Sequence, residues 1–220
     1  MKKMILLTAA LLTSTLASQA VIYSTNWTVN ASIPDNNYSG WADSRSVNTM
    51  PAGTLNAVAV DIQLSSGWTG DLYAYLVHET GFAVLLDRVG TPDLAYGYGA
   101  GSMTVTLADG SSWDGNTISG NIHTAGANAL GYFNPDDDNA GLTLTSASGS
   151  LASFMGTSPN GTWQLFVADV NGGGLTTVQS WGLQMDIVAV PEVETWIAAA
   201  LAGAFGAFWV NRQIWGTKKA

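Results

Sequence analysis

Apolar and polar residues alternate with a period of two through much of the chain. Val58, Val60, Ile62 and Leu64 fall on one face with Ala59, Asp61 and Gln63 opposite, and Met103, Val105 and Leu107 alternate with Ser102, Thr104 and Thr106. Trp181, Leu183, Met185 and Ile187 alternate in the same way with Gly182, Gln184 and Asp186. Successive side chains of an extended strand point to opposite faces, so each run predicts a strand with one buried face. Segments 72–77, 82–86 and 163–168 are apolar on both faces, the pattern of central strands in a closed core, and 21–29 predicts an edge strand. Glycine-, asparagine- and aspartate-bearing turns separate these runs, at 65–70, 79–81, 109–110, 114–116 and 171–174. Together they predict about eight short strands, no helix before residue 190, and one all-β domain over 21–190: a β-sandwich of the jelly-roll type.

Both ends break this pattern. Met1, Lys2 and Lys3 precede an apolar run over 4–16, and small residues stand at Ser18 and Ala20. A charged start, a short apolar stretch and small residues describe a secretory signal over 1–20, cleaved after Ala20. At the other end, 196–210 carries no charge and no polar face. As a helix it would reach about 22 Å, and letting Arg212 snorkel extends the span from Trp196 to Trp215, roughly 30 Å, enough to cross a hydrocarbon core. Trp196, Trp209 and Trp215 stand where interfacial aromatics sit, and Lys218 and Lys219 put the C-terminus inside and the domain outside.

Composition sharpens the picture. Only 10% of the 220 residues are charged against 47% hydrophobic, which excludes a disordered acidic chain, and the absence of cysteine excludes a disulfide framework or a thiolate metal site. Between residues 21 and 190 only Arg45 and Arg88 oppose fourteen carboxylates, a net charge of −12. Such a domain repels phosphate backbones, so nucleic acid is excluded as a partner and cations are favoured.

Val190-Pro191-Glu192, an apolar helix and a short basic tail resemble the PEP-CTERM sorting signal of Gram-negative bacteria, over 191–220. The resemblance implies tethering in the inner membrane with the domain in the periplasm. It also implies processing by an exosortase near Pro191 and Glu192, and delivery to the cell surface or extracellular matrix. Two blocks within the domain carry a second resemblance. One is Val60-x-Ile62, Gly70-Asp71-Leu72-x-x-x-Leu76, Gly81 and Val84-Leu85-Leu86. The other is Phe154-x-Gly156, Pro159-Asn160-Gly161-Thr162-Trp163-x-Leu165-x-Val167-x-Asp169, Leu175 and Ser180-Trp181-x-Leu183. They resemble the P domain (P/Homo B) of kexin- and furin-like proprotein convertases and of bacterial secreted proteases. That implies an eight-stranded jelly roll, which in the family stabilises a subtilisin-like neighbour.

Chemistry is sparse. His78 lies in a His-Glu-Thr-Gly turn and His123 in a glycine-rich loop; there is no Gly-x-Ser-x-Gly, and both read as solvated turn histidines rather than catalytic groups. Asp71 and Asp169 flank apolar strands at glycine-bearing turns, where each either caps backbone amides or ligates calcium. The stretch 134–141 is not an EF-hand, because Ala140 falls at the fifth position and no glutamate at the twelfth. It is either a solvated acidic turn or an irregular calcium site using Asp136 and Asp138. Loop aromatics, Trp68 and Trp113 above all, either fold over the sandwich or stack on sugar rings. These readings add up to a non-catalytic exported surface or matrix protein, structural or adhesive, with surface proteins or exopolysaccharide as partners. The alternatives are a carbohydrate-binding module for exopolysaccharide and an accessory domain for subtilisin-like proteases.

Overall fold

A computed structural model describes residues 21–65, 67–90, 96–99, 101–125, 128–136, 149–190, 200–206 and 209. The alternating runs lie in extended chain where the period-two reading places them. In order the strands are β1 (Val21–Ser32), β2 (Asn37–Val47), β3 (Gly53–Ser65), β4 (Leu72–His78), β5 (Gly81–Asp87) and β6 (Met103–Leu107). They continue with β7 (Ser112–Trp113), β8 (Asn116–Thr117), β9 (Leu130–Phe133), β10 (Gly161–Asp169) and β11 (Thr177–Ala189). Among the described residues eleven strands replace the expected eight or so: β2, β9 and the small β7–β8 hairpin carry too little alternation to show in the sequence.

Two sheets face each other. One has the order β1-β11-β3-β6-β9, the other β2-β10-β4-β5, and every pairing is antiparallel except β6 with β9. Their inner faces supply one core that includes Val60, Ile62 and Leu64 of β3, Leu72 and Leu76 of β4, Leu165 and Val167 of β10, and Leu183 and Met185 of β11. Each such side chain contributes roughly 1.5–3 kcal/mol by leaving water. The molecule is thus an all-β sandwich.

β1 is an edge strand, as its pattern predicts, while β4 and β10 are interior. β5 differs from the expectation: it lies at the end of its sheet. It reads as apolar on both faces because other segments cover it. The Val84 N–H donates to the Gly149 carbonyl at 2.8 Å and the Asp136 N–H to the Leu85 carbonyl at 3.2 Å, so the open side of β5 is capped by loop backbone.

Residues 1–20, with the cleavage position Ala20, lie outside the described residues, as do Pro191 and Glu192. Of the expected C-terminal apolar helix, residues 200–206 and 209 are helical and exposed. Among the described residues no helix is long and apolar enough to cross a membrane.

Candidate functional site

The two motif blocks meet at one end of the sandwich. Asp71 closes a 3-10 turn before β4 and Asp169 ends β10, and the ladder pairs Leu72 with Asp169. The Val170 N–H donates to the Asp71 carbonyl at 2.8 Å. Asn171 ties both carboxylates, its side-chain amide donating to Asp71 at 3.1 Å and its backbone N–H to Asp169 at 3.4 Å. Both aspartates are buried. Burial pushes the Asp169 carboxyl up to about 6, against the pull of the Asn171 N–H, and raises Asp71 as well, against the Asn171 amide and Arg88. Trp68, beside this junction, is 37% exposed.

A second buried group lies where β5 ends. Asp136 is fully buried and accepts from the His123 ring Nδ1 at 2.7 Å and from the Asp87 backbone N–H at 3.1 Å. His123 is held in a 3-10 turn (Ile122–Thr124), where its own backbone N–H donates to the capping Asn121 Oδ1 at 2.7 Å. The Asp87 carboxyl is pushed up to about 6, first by burial and then by the neighbouring Asp136 carboxylate. This corrects two readings. His123 is not a solvated turn histidine, and Asp136 does not sit in a solvated turn, because each neutralises the cost of burying the other. Asp138 lies outside the described residues.

His78 is also buried rather than solvated. Its ring lies against Trp163, and its two nitrogens face the carbonyls of Thr162 at 3.0 Å and Ser158 at 2.7 Å. Among the described residues no three histidine, aspartate or glutamate side chains converge on a point that would hold a metal ion.

The third site was missed by sequence reasoning and lies on the outer face of the five-stranded sheet. Register aligns two rows across it. One runs Asn26, Gly182, Asp61, Thr106 and Tyr132; the next runs Thr28, Ser180, Gln63, Thr104 and Leu130. Gly182 lies in the first row, between Asn26 and Asp61. A Cβ there would come within 2.4 Å of the Thr25 carbonyl and 2.9 Å of the Asn26 amide, so only glycine lets the Asn26 amide lie down on the sheet. On this face lies an open trough of about 430 Å³ whose polar side chains are Asn26, Asp61, Gln63, Thr104, Thr106 and Ser180, with Ile62, Val105 and Leu130 adding apolar surface. Asp61 is fixed within it by Thr106 Oγ1 at 2.6 Å and by the Gln184 amide at 2.9 and 3.1 Å. Gln184 in turn accepts from the Trp113 indole N–H at 2.7 Å. Trp113 is therefore folded onto the sheet beside the trough, packed with Ala59, Ala108 and Ile118, and presents no free ring for stacking. The available signal was the isolated glycine in the Trp181–Ile187 alternation, together with outward positions filled by amides and hydroxyls rather than lysine or glutamate.

No protein-family model matches the sequence, and neither does any curated protein. Among solved structures, the chain is similar to the serine protease of Aeromonas sobria in complex with its chaperone. The identity is 16%, the TM-score 0.45, and the match covers 78% of this chain and 28% of that one. It is also similar to the Aeromonas sobria serine protease alone, at 18% identity and a TM-score of 0.42, over 76% of this chain and 27% of that one. The chain spans less than a third of the length of those protease chains.

Proposed function

We propose that this chain is a non-catalytic, exported jelly-roll module of the P-domain type that works by binding at the cell surface or in the extracellular matrix. The observation that carries the reading is the trough: a depression with both polar side chains and apolar surface, built on the hydrogen-bonded interior of a sheet, held by cross-strand partners and open to solvent. The titratable groups of ordinary acid–base chemistry are engaged in packing instead. His78 is stacked and bonded to backbone, and His123 is paired with Asp136. Export and sorting rest on the terminal segments, with cleavage after Ala20 and near Pro191 and Glu192. The test has two parts. Labelled full-length chain should co-sediment with the matrix polymer of the producing cells, and the mature C-terminus should be cut near Pro191 by mass spectrometry. Hydrolysis of casein that disappears on His78→Ala or His123→Ala would overturn the reading.

A second reading is favoured by one observation, the convergence of the Gly70-Asp71-Leu72 and Val167-x-Asp169 blocks at a single junction. It makes the module an accessory domain that stabilises a subtilisin-like protease. Its test is whether the chain raises the melting temperature of such a protease on mixing.

A further inference from the structure

We infer that the trough on the outer face of the five-stranded sheet is the binding site, and that its ligand is a neutral oligosaccharide. This deepens the binding reading above and rests on it. Three features of the trough select the ligand. First, its volume of about 430 Å³ falls within the small-molecule range of roughly 300–1,000 Å³, which a short run of sugar rings would fill. Second, its lining is mixed: more of the exposed surface is apolar than polar, which suits the C–H faces of sugar rings, and its amide and hydroxyl side chains, Asn26, Gln63, Thr104, Thr106 and Ser180, both donate and accept, which matches hydroxyl groups that do the same. Third, Leu130, 70% exposed at the rim and paired with Thr104, offers an apolar surface for the C–H face of a ring.

The charge arrangement excludes the other classes. No lysine, arginine or histidine lines the trough, and the domain carries a net charge of −12, so an anionic ligand finds no partner. Asp61 is the single carboxylate, already accepting from Thr106 and Gln184, and calcium takes six to eight oxygens with several carboxylates among them. What Asp61 retains is acceptor capacity on Oδ2, suited to a sugar hydroxyl. An extended peptide binds by adding to a sheet edge through backbone groups. Here the backbone of β11 and β3 is consumed by ladders on both sides, so recognition must come from side chains.

The experiment titrates the full chain with neutral hexasaccharides (maltohexaose, cellohexaose, mannohexaose and xylohexaose) by calorimetry. At least one should bind with a Kd of about 10 µM to 1 mM. Thr104→Trp, which fills the trough from an exposed strand position, and Ser180→Arg should each weaken that binding by about tenfold or more without lowering the melting temperature. Trp68→Ala, at the far junction, should leave it unchanged. The inference fails if none of the four binds, if binding survives both trough variants, or if casein peptides bind in their place and are blocked by the same variants. Co-sedimentation with matrix polymer that persists in Thr104→Trp would sink the trough while the binding reading stands. Histidine-dependent hydrolysis would sink both.

Discussion

The imidazole of His78 lies flat on the indole of Trp163, with ring centroids 3.9 Å apart and planes within 2° of each other. Phe154 closes on the same indole at 5.2 Å, and Trp163 Nε1 donates to the Pro159 carbonyl at 3.2 Å. One end of the sandwich is thus sealed by an aromatic stack whose polar atoms all meet backbone.

Removing the top of that stack opens a cavity and strands two carbonyls. His78→Ala should cost about 2–4 kcal/mol, read as a fall in the urea midpoint. His78→Phe, which keeps the stacking and loses the polar contacts, should recover part of it. Gly161 belongs to the same unit, with φ at +137° and a Cβ position 2.9 Å from His78 Cε1. Gly161→Ala should therefore destabilise as well, through backbone strain and collision together. A His78→Ala variant as stable as the parent would contradict this account.

Legibility followed burial on one face. β3, β6 and β11 could be read directly because each buries every second residue against the opposite sheet. β2 could not, because its inward positions include Asp43 and Arg45, which look like solvent residues until their partners are known. β9 has four residues, one of them Gly131, and a parallel neighbour that no hairpin signal announces. Asp71 and Asp169 could each be singled out because both stand at strand ends with turn-forming neighbours, but their meeting depends on the β4–β10 ladder. His123 and Asp136 meet from opposite sides of β9, thirteen positions apart, a contact that no sequence period marks. The trough was hidden for a different reason: register between strands distant in sequence aligns its residues, and only the isolated Gly182 hints at it.

The seam between the two sheets makes a separable prediction. Trp181 Nε1 donates to Asp43 Oδ2 at 2.7 Å, crossing from β11 in one sheet to β2 in the other, and Arg45 Nε reaches the same oxygen at 2.7 Å. Asp43→Ala leaves a fully buried indole N–H without its acceptor and should cost about 1–3 kcal/mol. Arg45→Ala removes a partly exposed ion pair and an Arg–Trp27 contact at 5.9 Å, and should cost less than about 1 kcal/mol. Equal losses in chemical denaturation would mean that the salt bridge, not the indole bond, holds the seam.

Asn171 should be as important to the junction as the aspartates it bonds. Asn171→Ala takes the side-chain donor from buried Asp71 and should destabilise by about 1–3 kcal/mol. Because Asn171 serves both carboxylates, millimolar calcium is expected to leave the melting temperature of the parent chain unchanged. A rise with calcium that Asp169→Asn abolishes would instead place a cation between Asp71 and Asp169, since a ligand bound only to the folded state must stabilise it.

Proton binding should make this domain more stable in mild acid than at neutral pH. Asp87 and Asp169 are each pushed up to about 6, chiefly by burial, and burial moves Asp71 and Asp109 the same way. In the unfolded chain these groups ionise near about 4. Between those values the folded protein holds protons that the unfolded chain has released, so stability falls as pH rises. The stabilisation is complete below about pH 4 and is lost as pH climbs through about 6, the reverse of a salt-bridged carboxylate. The melting temperature should therefore be higher at pH 5 than at pH 7.5. Asp87→Asn removes one charge that must be buried at neutral pH. It should raise stability at pH 7.5 by about 1–2 kcal/mol and flatten the slope between the two conditions. A parent chain that melts earlier at pH 5 than at pH 7.5 would show that these carboxyls are stabilised as anions in the folded state, with folded values below the unfolded ones.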